Sequence, residues 1–143
     1  MSITTTQLTR AAGISAVVAG LLFICVQINP PALTLDFITT TEFALRQSMK
    51  VGFSVLALVG ITGMYLSQVR KSGVLGLVGY LILAAGFGIM LTVEVAGLVV
   101  LPAIVHTAPG YVGDVIAVAT NQAAAGDIGL MKPLSLLGGV TYM

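Results

Sequence analysis

The sequence predicts an all-α integral membrane bundle with three complete transmembrane helices and a truncated fourth. Apolar side chains fill residues 11–28, 51–66 and 74–105, and these three stretches hold a single charge, that of Glu94. Hydrophobic residues make up 57% of the chain and charged residues only 8%, with a mean hydropathy of +1.08. A water-soluble helix needs a charged or polar face, and these stretches have none, so the solvent they favour is a lipid bilayer.

Length and composition limit the organisation and the partners of the protein. Each crossing of the hydrocarbon takes about 20 residues, so 143 residues form a single membrane domain, residues 1–143, with no room for a separate soluble one. The net charge is +1, and Arg70-Lys71 is the only basic pair, which argues against nucleic acid as a partner. Cys25 is the only cysteine, which excludes an internal disulfide and a thiolate metal site.

The first transmembrane helix is predicted at about residues 11–28. This apolar run is longer than the roughly 7–15 residues of a signal-peptide core, so we expect the helix to be retained. Ala12, Ala16 and Gly20 recur at every fourth position and predict a face where another helix packs closely, as a contact within the chain rather than a dimer interface. Pro30-Pro31 ends the helix, because proline lacks the backbone donor.

The second helix is expected to start near residue 40 and to cross the membrane at about residues 49–67. Thr39 and Glu42 are spaced as a capping box, in which the hydroxyl and the carboxylate bond each other's backbone N–H groups. Glu42 and Arg46 then follow at i,i+4 in the favourable order. We therefore interpret the charges of Arg46 and Lys50 as structural rather than as binding groups.

A tight turn is predicted at residues 68–73, before a third helix at about residues 74–101. The basic pair in this turn is expected to be cytoplasmic, which places the N-terminus in the cytoplasm and the protein in the inner (plasma) membrane. The third helix opens with glycines that favour close helix packing. These are Gly73, Gly76 and Gly79.

Glu94 is the candidate functional residue of the third helix, because an ionisable group inside a membrane helix is costly and often marks an ion or proton path. At 1.5 Å per residue, the roughly 30 Å hydrocarbon core is crossed just before Glu94. We therefore expect an interfacial or partner-paired carboxylate, and any partner must come from another helix or another chain, because its helical neighbours offer no acid or base. Tilt would draw Glu94 deeper, and Tyr80, Thr92 and Thr62 would then be the polar lining of a path.

The segment that follows is expected to be an extracytoplasmic loop on the membrane surface. Pro102 should break the span, and Asp114 should cap a short apolar turn at residues 115–119. The acidic and histidine side chains of this region lack the spacing of a ligand set, so no metal site and no other cofactor is expected. A partial fourth helix at residues 133–143 covers only about half a bilayer, and we interpret it as a truncated chain.

Several motifs along the whole chain carry a family resemblance. They are Leu8-Thr9-Arg10, residues 60–66, residues 73–80, Glu94 with Pro102, and Gly126-Asp127-Ile128-Gly129. In these motifs the chain resembles small uncharacterised four-helix integral membrane proteins of bacteria. The resemblance implies a four-helix membrane fold, and it implies no reaction, ligand or catalytic residue.

The sequence contains no catalytic motif, neither a nucleophile elbow, nor a zinc-protease pair, nor a phosphate or dinucleotide loop, so we expect that the protein is not an enzyme. The first functional hypothesis is a non-catalytic bundle that acts by helix packing, as a subunit beside another membrane protein or as a homo-oligomer. The second is a small transporter or proton-coupled protein built around Glu94. The lipid bilayer is the expected partner in either case.

Overall fold

The computed structural model describes residues 4–141, and this part of the chain is all-helical, which confirms the predicted α class. No β-strand is present among these residues. The helices are α1 (Thr5–Gln27), α2 (Leu35–Ile38), α3 (Thr41–Ile104), α4 (Pro109–Ala119) and α5 (Met131–Thr141). The last two residues of the predicted fourth helix, 142–143, lie outside the described residues.

Helix α3 is folded back on itself at Gly73. This glycine has φ +56° and ψ −157°, a backbone region that only glycine adopts readily. The rings of Phe53 and Phe87 lie with centroids 5.9 Å apart, whereas a straight helix would separate these residues by roughly 50 Å at 1.5 Å per residue. The first arm, residues 41–72, and the second arm, residues 74–104, are therefore antiparallel and form a helical hairpin.

Two helices are long and apolar enough to cross a membrane by length and composition, Thr6–Gln27 and Thr41–Ile104. The sequence predicts three separate spans, and the structure instead has two qualifying helices, of which the second contains the fold at Gly73. Only 17% and 6% of their most apolar 18-residue windows is buried inside the protein. Side chains such as Ile14 and Leu75 are exposed, so most of this apolar surface is not covered by the described chain.

Helix α1 packs along the hairpin through small residues of both helices. A Cβ atom at Gly63 would lie 2.7 Å from the Cβ of Ala12, which is closer than real Cβ contacts, so only glycine fits there. One turn earlier on α3, Gly60 lies against the backbone of Ala16. The two helices therefore approach closely, as small residues at a helix crossing allow.

The contact face of α1 follows the helical repeat rather than a strict four-residue repeat. Ala12 and Ala19 are buried, whereas Gly20 is exposed and a Cβ there would meet nothing within 4 Å. At about 100° per residue, position i+7 returns close to the starting direction, while position i+8 is rotated by roughly 80°. Gly20, the third member of the predicted packing face, thus lies outside the contact.

The predicted capping box at the start of α3 is wrong by one residue. Thr40 is the N-cap, and its hydroxyl accepts a hydrogen bond from the backbone N–H of Phe43 at 3.2 Å. Thr39 instead ends α2, where its hydroxyl donates to the backbone carbonyl of Asp36 at 2.8 Å. The sequence does not predict helix α2, and Thr39, which the sequence predicts as the N-cap of α3, is instead the C-cap of α2.

The end of the bundle opposite Gly73 is a packed apolar cap, formed by α2, α4, the two ends of α3 and residues 120–130. The second arm passes through Pro102 and ends at Ile104, so this proline does not break the span as expected. Helix α5 packs against α3 and α4 beside the cap. The buried core of the cap consists of Ile38, Phe43, Leu101, Val105, Val112, Val115, Val118 and Ile128.

Asp114 lies inside α4 instead of starting a short turn, and its carboxylate binds the loop that follows α4. Its Oδ1 accepts the backbone N–H of Ala125 at 2.7 Å, and its Oδ2 accepts that of Gly126 at 3.0 Å. Helix α4 begins at Pro109, five residues before Asp114, because proline is favoured in the first turn. The carboxylate is therefore free to bond the returning loop.

Candidate functional site

The candidate site centres on Glu94, which lies in the second arm of α3 beside the apolar cap and is 5% exposed. The side-chain amide of Gln47, on the first arm, donates to the carboxylate Oε2 of Glu94 and, at 3.2 Å, to its backbone carbonyl. The ammonium of Lys50 lies 3.9 Å from the same carboxylate oxygen. The predicted partner on another helical segment is therefore an amide together with an ammonium group.

The fold at Gly73 and a glycine opposite Gln47 bring these groups together. Gln47 and Lys50 are three residues apart and share one face of the first arm. A Cβ at Gly97 would lie 2.6 Å from Nε2 of Gln47, so the missing side chain at Gly97 leaves the space that the amide occupies. The sequence thus provides the side chains that contact Glu94 and, at Gly97, the space that the Gln47 amide needs.

Arg46 lies next to Gln47 and hydrogen-bonds the end of α1. Its Nε donates to the Glu42 carboxylate at 2.9 Å. Its terminal nitrogens donate to the backbone carbonyls of Val26 at 3.1 Å, Ile28 at 3.4 Å and Asn29 at 3.4 Å. Helix ends leave such carbonyls without intrahelical donors, and the guanidinium supplies donors to them.

A cavity of about 300 Å³ adjoins the Glu94 pair at the cap end of the bundle. Its polar wall is formed by Arg46, Gln47, Lys50 and Glu94. Its apolar wall is formed by residues from the end of α1, the α1–α2 connection, α2, both arms of α3, α4 and α5. The side chains of the apolar wall include Val26, Leu33, Phe37, Leu101, Val115 and Met131.

The predicted polar lining residues do not lie at this cavity. The hydroxyls of Thr62 and Tyr80 are 3.2 Å apart, and the ring of Tyr80 stacks on that of Tyr65 with centroids 4.6 Å apart. Tyr80 is 14 positions from Glu94, which along a helix is roughly 21 Å. Thr92 is exposed and its hydroxyl donates back to its own helix at 3.0 Å.

The predicted packing glycines of the second arm have different environments. Gly73 is the fold point of α3. A Cβ at Gly76 would meet only the nearby Ser72 side chain, and Gly79 is exposed with nothing within 4 Å of an added Cβ. Within the described residues, the close interhelical approach therefore falls at Gly60, Gly63 and Gly97 instead.

Gln47 and Lys50 are the site residues that the sequence prediction did not assign to Glu94. The predicted turn at residues 68–73 could have identified Gln47 as a neighbour of Glu94. The centre of this turn lies between residues 70 and 71, so in an antiparallel hairpin the position opposite Glu94 is residue 47. In the described part of the chain, no group of three or more His, Cys, Asp or Glu side chains gathers as a metal-binding cluster would.

Comparison with known proteins finds no relative of this chain. No protein-family model, no curated protein sequence and no solved structure matches the chain. The likeness to four-helix membrane proteins of bacteria, carried by the short motifs, stays a prediction. Function is therefore inferred from the surface of the bundle and from the surroundings of Glu94.

Proposed function

We propose that the protein is a multi-pass membrane protein in which α1 and the two arms of α3 each cross the bilayer. The arms contain 32 and 31 residues, counted as 41–72 and 74–104. At 1.5 Å per residue they are roughly 48 and 46 Å long, enough for the roughly 30 Å hydrocarbon core. The largely exposed apolar surface of these segments supports this, since a soluble protein rarely leaves such large patches uncovered.

The proposed orientation places the fold at Gly73 in the cytoplasm and the apolar cap outside it. Arg70 and Lys71 are exposed next to the fold, and basic residues in short connections favour the cytoplasmic side. The N-terminus then lies on the same side as the fold, because α1 and the first arm of α3 run in opposite directions. The compartment that we propose is the inner (plasma) membrane of a bacterium.

Within that membrane we propose a non-catalytic role based on helix packing, as a subunit beside another membrane protein or as a homo-oligomer. The supporting observation is that Glu94, the only charged residue of the second arm, is bonded by Gln47 and paired with Lys50 across the hairpin. Ser54, fully buried nearby, donates to the carbonyl of Lys50 at 3.0 Å. No buried side-chain nitrogen or oxygen in the described residues lacks a hydrogen-bond partner, and a structural role for these groups requires such pairing.

A small transporter or proton-coupled protein built around Glu94 is the second candidate. The cavity beside the carboxylate favours it, because a path needs space that connects an ionisable group with the aqueous side. A carboxylate that carries protons must exchange them with water or solute. The two candidates therefore differ in what the negative charge of Glu94 is needed for.

Glu94→Gln separates the two candidates. The amide has nearly the same shape, and its oxygen can still accept from Gln47, so a packing role is expected to survive the substitution. We expect wild type and variant to give the same oligomer or stoichiometric complex by native mass spectrometry in mild detergent. Proteoliposomes of both should acidify, as read by an enclosed pH-sensitive dye, no faster than empty liposomes.

The matched control is Glu42→Gln, which removes an exposed carboxylate from the Arg46 contact outside the cavity wall. Wild-type proton flux above the empty-liposome rate, abolished by Glu94→Gln and retained by Glu42→Gln, would establish the second candidate instead. A lone monomer for the wild-type protein, without a partner, would contradict the packing role.

A further inference from the structure

The ammonium of Lys50 faces the cavity with hydrogen-bond donors to spare. Its side chain is 34% exposed, and its contact with Glu94 is 3.9 Å long, beyond hydrogen-bond distance. In the described part of the chain the structure gives this ammonium no hydrogen bond. An ammonium has three donors, so Lys50 can bond a further acceptor inside the cavity without giving up a strong contact.

The charges on the cavity wall favour an anionic acceptor. Arg46, Lys50 and Glu94 are the charged groups of the wall, and the charge of Arg46 is balanced by the Glu42 carboxylate 2.9 Å away, so Lys50 carries the cationic donors that remain for a ligand. The carboxylate of Glu94 is already engaged by Gln47. A carboxylate or phosphate would gain a charge-assisted hydrogen bond from Lys50, and such bonds are stronger than those between neutral groups.

The rest of the cavity suits a short apolar chain. Its lining includes the apolar side chains of Leu33, Phe37, Leu101 and Met131. A volume of about 300 Å³ is at the lower end of the range of small-molecule sites, roughly 300–1,000 Å³. The space therefore accommodates one chain of modest length with its head at the polar wall.

We propose that this cavity binds a single-chain amphiphile with an anionic carboxylate or phosphate head, the head bonded to Lys50 and the chain against the apolar wall. Such a molecule would reach the site from the outer membrane interface, where the proposed topology puts this end of the bundle. The inference goes beyond the proposed packing function, since a bundle that acts by packing needs no ligand.

Competition binding tests the site with the full chain in a non-ionic detergent. Radiolabelled decanoate is expected to bind at about one molecule per chain. Unlabelled decan-1-ol, with the same chain and no charge, and acetate, with the charge and no chain, should each compete at least about tenfold more weakly than decanoate. Decan-1-ol competes more weakly because it loses the charge-assisted hydrogen bond to Lys50, and acetate competes more weakly because it has no chain to bury against the apolar wall.

Lys50→Gln should weaken decanoate binding about tenfold or more, and the exposed Lys132→Gln, which lies outside the cavity wall, should not. Leu33→Trp, which fills the apolar side and leaves the Lys50–Glu94 contact intact, should also abolish binding, so the test survives if Lys50→Gln fails to fold. Equal binding by wild type, Lys50→Gln and Leu33→Trp, or equal competition by decan-1-ol, would overturn the proposal.

A lysophosphatidate, which has one acyl chain and a phosphate head, distinguishes two sources of the anionic head. If a short-chain lysophosphatidate competes as well as unlabelled decanoate and Lys50→Gln weakens both, the proposal holds and the ligand is a single-chain membrane lipid. If lysophosphatidate does not compete while decanoate does, the proposal holds for a free fatty acid.

Discussion

Gln47→Leu is expected to destabilise the protein more than any other single substitution on the hairpin contact. Leucine is close in size to glutamine but cannot donate to the Glu94 carboxylate, which stays buried at 5% exposure. Leaving a buried polar group without its partner costs about 1–3 kcal/mol, and more for a charged group. The free energy of unfolding, measured by denaturant titration in detergent micelles and followed by circular dichroism, should fall by at least this amount.

A double-mutant cycle shows whether this loss of stability comes from the interaction between Gln47 and Glu94. Glu94→Leu alone should also destabilise, whereas the double variant Gln47→Leu/Glu94→Leu should lose clearly less than the sum of the single losses, with a coupling of about 0.5–3 kcal/mol. Gln68→Leu is the matched control, because Gln68 is exposed near the fold of α3. Additive single losses, or an equal loss in the control, would show that the two side chains do not interact.

Gly73→Val is expected to have the second largest effect, because it places a β-branched residue at φ +56°. Backbone conformations of this kind cost of order 1–3 kcal/mol even for residues that tolerate them. The arms of α3 should therefore separate or rearrange. Spin labels at exposed positions Val55 and Ala85, one on each arm, should give a short and narrow distance in the wild-type background and a longer or broader one in the variant.

Gly79→Val is the control for this substitution. Gly79 lies six residues further along the second arm, is exposed, and has nothing within 4 Å of an added Cβ. Valine is tolerated better than glycine inside a helix, so the distance should not change. If Gly73→Val keeps the short distance and the wild-type stability, the reversal does not depend on the glycine backbone.

The helical class and the reversal of the chain could be predicted from the sequence because both depend on local signals. Long apolar runs specify helices, and the polar residues 68–73 ending in a glycine specify a turn. Helix α2 is only four residues long and has no periodic pattern of its own. The apolar cap depends on contacts between side chains far apart in the sequence, such as Ile38 with the end of α3, and no local pattern encodes them.

The candidate site could be predicted only in part, for a related reason. Glu94 is conspicuous as a lone charge in an apolar stretch, whereas Gln47 stands in a polar lead, between Arg46 and Ser48, that is typical of a helix surface. Gln47 is buried because the hairpin places it opposite Glu94 and Gly97. The sequence suggests Tyr80 as lining for Glu94 because both are polar residues of one helix, but roughly 21 Å of helix separate them.

Cysteine labelling tests most directly the claim that α3 crosses the membrane twice and reverses at Gly73. In a Cys25→Ala background, single cysteines at Thr6, Thr34, Ser72 and Thr107 would be exposed to a membrane-impermeant maleimide in right-side-out and inside-out vesicles. We expect Thr6→Cys and Ser72→Cys to react from the cytoplasmic face, and Thr34→Cys and Thr107→Cys from the opposite face. Protection of Ser72→Cys from both faces, or its reaction from the same face as Thr107→Cys, would contradict the folded double crossing.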